Sequence, residues 1–482
     1  MRRCCLALVL LLPLLTVAAP TPDIWLSVLL NGRKIGQMHV HREVRDGSVI
    51  TTQKMEVELA RAGISVKVTT TESDAETESG EPLAFTTQTA ISGIASTVQG
   101  TRRADGRFDV VSEIGGAKSA RVIDWPPGAL LAEGMRLAEM RAGLKPGTRY
   151  TEQAFQAASL DAVQVDSRIG TREQVDLPDG PRELTRVDQQ LQLPGAPTRI
   201  RSWVDADGNA YKSSLPLMGL DLTMLACSQA CATAPNQSVE LLARLMAKAP
   251  AAPSARQLRS GMILQVAANN GDAPLRFAQT GEQRVRKTAN GYELRIVPLD
   301  SAAPPNATET PPAPADSQPN DWLQSDAPEI RKLAREGAAG AKTPAAQMLA
   351  LQEFVRRYIS IKDLNIGYAS ALEVAKHPEG DCTEHAVLLA ALGRALGIPT
   401  RVVDGLAYTD HYAGMDHVFV PHAWAQAWVD GHWRSFDAAL PGFDAGHIAL
   451  SVGDGDPWRF FSGMDTLGRM RIDRIEALQQ PD

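Results

Sequence analysis

One stretch, Gly380 to Leu440, carries a thiol, an imidazole and a carboxylate in an order suited to acyl-transfer chemistry. Gly380-Asp381-Cys382-Thr383-Glu384-His385-Ala386 leads into Val387, Leu388, Leu389, Ala391, Leu392, Ala395 and Leu396, which are apolar at helical spacing. Gly397 and Pro399 end that helix. Cys382 therefore falls at or just before the first turn. There the unpaired backbone N–H groups and the helix dipole stabilise a thiolate. Downstream, Val418 to Val429 reads as a strand holding His422, and Asp430-Gly431 as a two-residue hairpin turn. With Val429 opposite His432, paired residue numbers sum to 861, so Asp437 faces Trp424 and Ala439 faces His422. His422 and Asp437 are then diagonal neighbours on one face, with Cβ atoms roughly 7 Å apart, within reach of a carboxylate–imidazole hydrogen bond.

A cysteine nucleophile needs a base to take its proton, and the base needs a third group to fix its tautomer. Taken singly, a cysteine is a small buried hydrophobe and a strand histidine a satisfied polar residue. The ordered set, with 40 residues from Cys382 to His422 and 15 more to Asp437, favours chemistry over packing. Gly-Asp-Cys-Thr-Glu-His-Ala entering an apolar helix, His-Ala-Trp in a strand and an Asp beyond a Gly turn resembles the transglutaminase-like superfamily of papain-like cysteine enzymes. The resemblance covers roughly residues 322–455. It implies Cys382 as nucleophile, His422 as general base and acid, and Asp437 as orienting carboxylate, with no cofactor. Asn365 and Tyr368 are candidates for a side chain completing the oxyanion hole. The implied reaction opens a carboxamide or peptide bond through a thioester. Water at ~55 M then favours a protease or amidase over a crosslinking transglutaminase unless the site excludes it.

Other readings of the same residues exist. Seven of nine histidines lie from His377 onward, so a metal site drawn from Cys382, His385, His411, His417 and His422 has to be weighed. Against it, no second ligand pair of the Cys-x-x-Cys type follows Cys382-x-x-His385, and a metal would not use the register of Asp437. A papain-like fold serving as an inert envelope binding or scaffold protein is the second class, and an intact Cys-His-Asp set argues against it. His385 reads as a surface residue or one behind the site. Glu384 reads as a complement to the helix dipole, and Trp424, Trp428 and Trp433 as the wall beside the site.

The rest of the chain must position this stretch. The 482 residues suggest about three domains. The net charge of −7 disfavours nucleic acid as a partner. Residues 1–19, with Arg2, Arg3 and the apolar run Leu6 to Leu15, read as a signal peptide, which implies a secreted or periplasmic protein. An oxidising compartment permits a Cys227–Cys231 disulfide, though two free thiols are an equal reading. From Ile24 to Leu215, two meanders of strands punctuated by Asn-Gly and Asp-Gly turns are expected, with a helix within Ala129 to Gly143. The opening resembles the curved sheets of lipoprotein-carrier-like periplasmic proteins, which implies an apolar ligand or envelope partner on this region. The expected fold class is multidomain α+β. It comprises an antiparallel β-rich domain at 20–225, a helix with a small β unit at 226–300, a Pro/Ala/Thr-rich linker at 301–320 and a transglutaminase-like, papain-like α+β domain at 321–482.

Overall fold

A computed structural model describes residues 23–478, apart from 62–63, 92–93, 194–196, 218, 270–273, 300–308, 363–367 and 457–465. The signal-peptide reading and Asn365 lie outside the described residues.

The N-terminal half is antiparallel sheet, built from two meanders. The first comprises β1 (Asp23–Leu30), β2 (Arg33–Arg45), β3 (Ser48–Arg61), β4 (Ile64–Thr77), β5 (Pro82–Ile91), β6 (Ile94–Arg102), β7 (Phe108–Ile114) and β8 (Ala117–Ile123). The second begins with β9 (Ala129–Leu130) and helix α1 (Ala132–Ala142). It continues through β10 (Arg149–Gln156), β11 (Asp161–Val175), β12 (Arg182–Leu191), β13 (Thr198–Val204), β14 (Ala210–Leu217) and β15 (Leu220–Cys227). Period-two patterning drives strand formation: in β7, Phe108, Val110, Ser112 and Ile114 are buried while Asp109, Val111 and Glu113 are exposed. Asn31-Gly32 and Asp46-Gly47 take positive φ at both positions, as the tight hairpin turn requires. Pairing of β1 with β15 joins the meanders into one 15-stranded sheet. Phe85, Phe108, Trp125 and Phe155 pack together across the two meanders.

The remaining chain forms two smaller sheets and a helical layer. It starts with α2 (Gln229–Ala232), α3 (Leu242–Leu245), β16 (Ala247–Lys248), α4 (Ala255–Ser260), β17 (Met262–Ala268), β18 (Gln283–Thr288) and β19 (Gly291–Ile296). Then come α5 (Pro328–Gly337), α6 (Pro344–Tyr358), α7 (Ala371–Lys376) and α8 (Cys382–Ala395). The last strands are β20 (Thr400–Tyr412), β21 (Met415–Val429), β22 (His432–Phe436), β23 (His447–Gly453) and β24 (Met470–Ala477). One sheet runs β16-β21-β20-β23 with β22 also on β21, and the other runs β18-β19-β17-β24. Helix α8 is buried all round from Thr383 to Arg394, so it is the spine of this region rather than a surface helix. It packs with α5, α6 and α7 and against Ala423, Ala425, Ala427 and Val429 of β21.

Asp161 to Val175 forms one strand, β11, whose ladder shifts register between Ile169 and Arg172. Strand β8 lacks a strong local pattern, and β7 supplies its ladder. Of the two readings left open for Cys227 and Cys231, the structure has the disulfide, with Cα atoms 6.0 Å apart. The boundary expected at 301–320 is crossed by long-range pairing. C-terminal β24 lies against β17, and Met470 and Ile472 share one core with Met262, Leu264 and Leu294. The described end of the expected linker is also packed. Glu309 accepts from His432 Nδ1, the Thr310 carbonyl accepts from Trp433 Nε1, and the Gln318 carbonyl accepts from Arg394. Composition announces a Pro-rich segment but does not say what its polar groups will meet.

Candidate active site

Cys382 is the first residue of α8, and its neighbours are tied down on both sides. Asp381 caps the helix, accepting from the Thr383 N–H at 2.9 Å and from the Thr383 hydroxyl at 2.8 Å. Glu384 closes the reciprocal half of the capping box by accepting from the Asp381 N–H at 2.9 Å, and it also accepts from the Ala369 N–H at 3.0 Å. Gly380 precedes this turn at φ +146°, and a Cβ there would lie 2.4 Å from Glu384 Cγ, so only glycine fits. Cys382 is half-buried and lies outside the disulfide.

Glu384 is fully buried, and burial, reinforced by the Asp381 charge, pushes its carboxyl well above the usual range. Its hydrogen bonds to the Asp381 and Ala369 N–H groups hold the turn. Of the two positions read for His385, surface or behind the site, the surface one is excluded: it is buried, at 2 % exposure. Its Nδ1 lies 2.5 Å from the Asp381 carbonyl. Burial lowers its pKa, against the pull of Asp381 and Asp437. The Asp437 charge is therefore felt one turn along from Cys382.

The hairpin carrying the base and carboxylate has the expected register. Val429 pairs with His432 and Ala425 with Phe436, around Asp430 and Gly431, both at positive φ. His422 Nε2 donates to Asp437 Oδ2 at 2.7 Å, and both side chains are buried. That bond fixes the tautomer and leaves Nδ1 as the acceptor end of the ring. Gly405 on β20 stands opposite His422. A Cβ on Gly405 would lie 1.9 Å from the Ile448 carbonyl and 3.0 Å from the Trp424 ring, so glycine allows the three strands to close here.

Asp437 is held by more groups than the sequence suggests. Its Oδ1 accepts from the N–H groups of Ala439 at 2.8 Å and Leu440 at 3.0 Å, and its own N–H donates to Gln352 Oε1 of α6 at 3.1 Å. A second imidazole, His447 on β23, donates from Nε2 to the same Oδ2 at 3.0 Å. His447 Nδ1 meets Asp444 Oδ1 at 3.1 Å. Burial alone would depress the His447 pKa, but the Asp437 and Asp444 carboxylates outweigh it and raise it to about 9. For Asp437, burial is likewise outweighed by His422 and His447, which hold the carboxyl far below its usual range. His447 and Gln352 were not singled out from the sequence. His447 is delivered by the pairing of β23 with β20, where it stands opposite Ala407.

Behind the hairpin, Ser435 Oγ receives Trp424 Nε1 and Gln426 Nε2, each at 3.1 Å. The Ser435 N–H donates to buried Glu282 at 3.0 Å. Trp428 and Trp433 meet edge to face across the hairpin, 5.6 Å between centroids. Tyr368 donates its hydroxyl to the Gly455 carbonyl at 2.9 Å. The five residues of the metal reading do not come together as one ligand set, and of them only His422 lies in a group of three close donors, with Asp437 and His447. His411 sits with Asp416, and His417 with Tyr408. Among the described residues no cluster of three close metal donors contains Cys382, His385, His411 or His417.

Residues 331–438 match the family model of the transglutaminase-like superfamily. The C-terminal region carries a transglutaminase-like domain. The match spans α6, α7, α8, the β20–β22 hairpin strands and Asp437, so it contains Cys382, His422 and Asp437 but stops before His447. No curated protein matches the sequence. Among solved structures, the chain is similar to a protein from Cytophaga hutchinsonii named "putative cysteine protease", with 16 % identity and a TM-score of 0.27 over 47 % of this chain and 88 % of that one. It is also similar to a "putative protease" from Parabacteroides distasonis, with 11 % identity and a TM-score of 0.21 over 83 % of this chain and 70 % of that one. A β-barrel-like protein of a domain of unknown function from Brucella abortus gives 12 % identity and a TM-score of 0.35 over 43 % of this chain and 96 % of that one. Among the described residues no helix is long and apolar enough to cross a membrane.

Proposed function

We propose that this protein is a secreted or periplasmic cysteine hydrolase, a protease or amidase acting on protein or peptide substrates of the cell envelope. The observation that carries the reading is the buried His422–Asp437 hydrogen bond at 2.7 Å, on a strand packed against the helix that Cys382 opens. Cys382 Sγ gives its proton to His422 Nδ1 and attacks the carbonyl carbon. The oxyanion forms within reach of backbone N–H groups at the start of α8. Collapse breaks the C–N bond, and His422 returns the proton to the leaving amine. A thioester on Cys382 remains. His422 then takes a proton from water, hydroxide adds to the thioester, and the thiolate leaves as the acid is released. Asp437 stabilises the imidazolium in both halves and keeps Nδ1 turned to the reaction. No step draws on a cofactor. The broad antiparallel sheet would serve to engage an apolar ligand or envelope partner while the C-terminal region acts.

The test is incubation of the protein with a mixed peptide library, with and without a fluorescent primary amine, followed by mass spectrometry. New peptide termini that vanish in Cys382→Ala support hydrolysis. Amine incorporation without new termini replaces hydrolysis with crosslinking. Neither product, from a folded protein, removes the enzymatic reading in favour of a scaffold.

A further inference from the structure

Among the described residues, two groups of three bring histidine and aspartate donor atoms within 4.8 Å of one another. One is His422, Asp437 and His447. The other is Asp23, His39 and His41, on β1 and β2 of the 15-stranded sheet, and the chemistry above does not use it.

The placement follows from strand geometry. Antiparallel pairing sets Asp23 opposite His41 and Trp25 opposite His39. Residues two apart on a strand share a face, so the two imidazoles and the carboxylate stand on one face with Asp23 and His39 diagonal. The alternate residues Ile24, Leu26 and Val40 go to the opposite face and pack together with Ala226. The backbone beneath the donors is thus pinned by a core, as a precise site needs. Trp25 stacks on the His39 ring at 4.1 Å between centroids and 17° between planes, holding that ring's orientation. His39 Nε2 bonds directly to Asp23 Oδ1, and His41 Nδ1 lies 3.5 Å from the same oxygen. The side chains keep 58 % (Asp23), 29 % (His39) and 43 % (His41) of their surface in solvent, so an ion can reach them.

The spacing suits a small coordination sphere. Tetrahedral zinc with ligands at about 2.0–2.1 Å sets its donors ~3.3 Å apart; one donor pair here lies at 3.5 Å, and His39 Nε2 must give up its hydrogen bond to Asp23 Oδ1 and draw back from it for both to hold one ion. Two imidazole nitrogens and one carboxylate oxygen suit zinc or copper(II) better than calcium or magnesium, which take all-oxygen shells. Three protein ligands leave the remaining positions to water.

We propose that Asp23, His39 and His41 bind a divalent late first-row transition metal, zinc or copper(II), on the outer surface of the N-terminal sheet. The experiment is titration of the untagged, chelator-stripped protein with zinc chloride and, separately, copper(II) sulfate at about pH 7.5, where histidine is neutral. One equivalent should bind per chain. His39→Ala and His41→Ala should each weaken binding by about tenfold or more, since losing a ligand costs at least what losing a ligand's own hydrogen-bond partner does. His422→Ala, which removes a donor from the other group, should leave that equivalent intact. Copper(II) should quench Trp25 fluorescence in the wild type and in His422→Ala, and not in His39→Ala. The proposal is overturned by wild type that binds neither ion, by His39→Ala and His41→Ala binding like wild type, or by loss of the equivalent in His422→Ala alone. The outer position and partial exposure of the three side chains mean that the variants should fold, which their circular dichroism spectra check.

Discussion

His447 donates to the same oxygen of Asp437 that His422 uses, at 3.0 Å against 2.7 Å. The folded-state pKa of His447, about 9, lies above its unfolded value of ~6.5. Such a group contributes stability that is fully present below ~6.5 and is lost as pH rises through about 9. His447→Gln can keep a hydrogen bond but not the charge. We expect it to cost about 1–3 kcal/mol at pH ~6 and much less at pH ~10. Denaturant melts across that range check this; parallel pH slopes for the two proteins would show that His447 carries no charge in the fold.

Asp437→Asn keeps the shape and one acceptor oxygen but removes the charge that stabilises the His422 imidazolium. The amide can also favour the wrong tautomer. In a serine triad the equivalent change costs about 10⁴ in kcat, and a cysteine site, whose thiolate–imidazolium pair can pre-exist, should lose less. A fall in turnover of roughly 10- to 1,000-fold is expected. Wild-type turnover across the pH range would remove Asp437 from the chemistry.

The N-terminal sheet should weaken as pH rises. Glu139 and Glu152 are buried, each has an oxygen that meets no hydrogen-bond partner, and burial raises the pKa of each to about 7. Unfolded glutamates titrate near ~4.3, so the folded state holds extra protons between there and about 7. Stability is therefore greatest below ~4.3 for this pair and falls as pH climbs through 7. Glu152→Gln should stabilise the protein by about 1–3 kcal/mol at pH ~8 and flatten this slope. Melts at pH ~5 and ~8 decide it, and a destabilised variant at the higher pH would contradict it.

A fragment of residues 321–482 should be less stable than one of 240–482, because only the longer one keeps β17 beside β24 and Met262 and Leu264 beside Met470 and Ile472. In the intact protein, protease should leave residues 309–318 uncut while Glu309 and Thr310 hold the β22 strand. Cutting there, or equal melting of the two fragments, would mean that these contacts contribute little.

The parts of the fold legible in the sequence are those that local physics sets. Asp430-Gly431 fixes a two-residue turn, the turn fixes the register, and the register puts Asp437 within reach of His422. Cys382 at a helix start follows from Asp381, Glu384 and the apolar run behind them. His447, Gln352 and Glu282 were invisible for a common reason. Gln352 and Glu282 reach the hairpin from elements distant in sequence, and His447 through the pairing of β23 with β20; no local periodicity encodes either. The joining of the two meanders through β1 and β15 was hidden in the same way, with partners such as Trp25 and Cys227 some two hundred positions apart. The burial of Glu384 and His385 was not legible, because α8 is apolar enough to be buried on every side, including the face that carries them.

The central claim is that Cys382 is a nucleophile activated by His422, and the rate of iodoacetamide alkylation at Cys382 against pH tests it most directly. Wild type should alkylate with an apparent thiol pKa well below the ordinary value of ~8.5, keeping high reactivity down to about pH 6. His422→Gln should lose that acidic limb and alkylate as an ordinary thiol, while its circular dichroism spectrum stays that of wild type. A wild-type profile already following pKa ~8.5, unchanged by His422→Gln, would contradict the account.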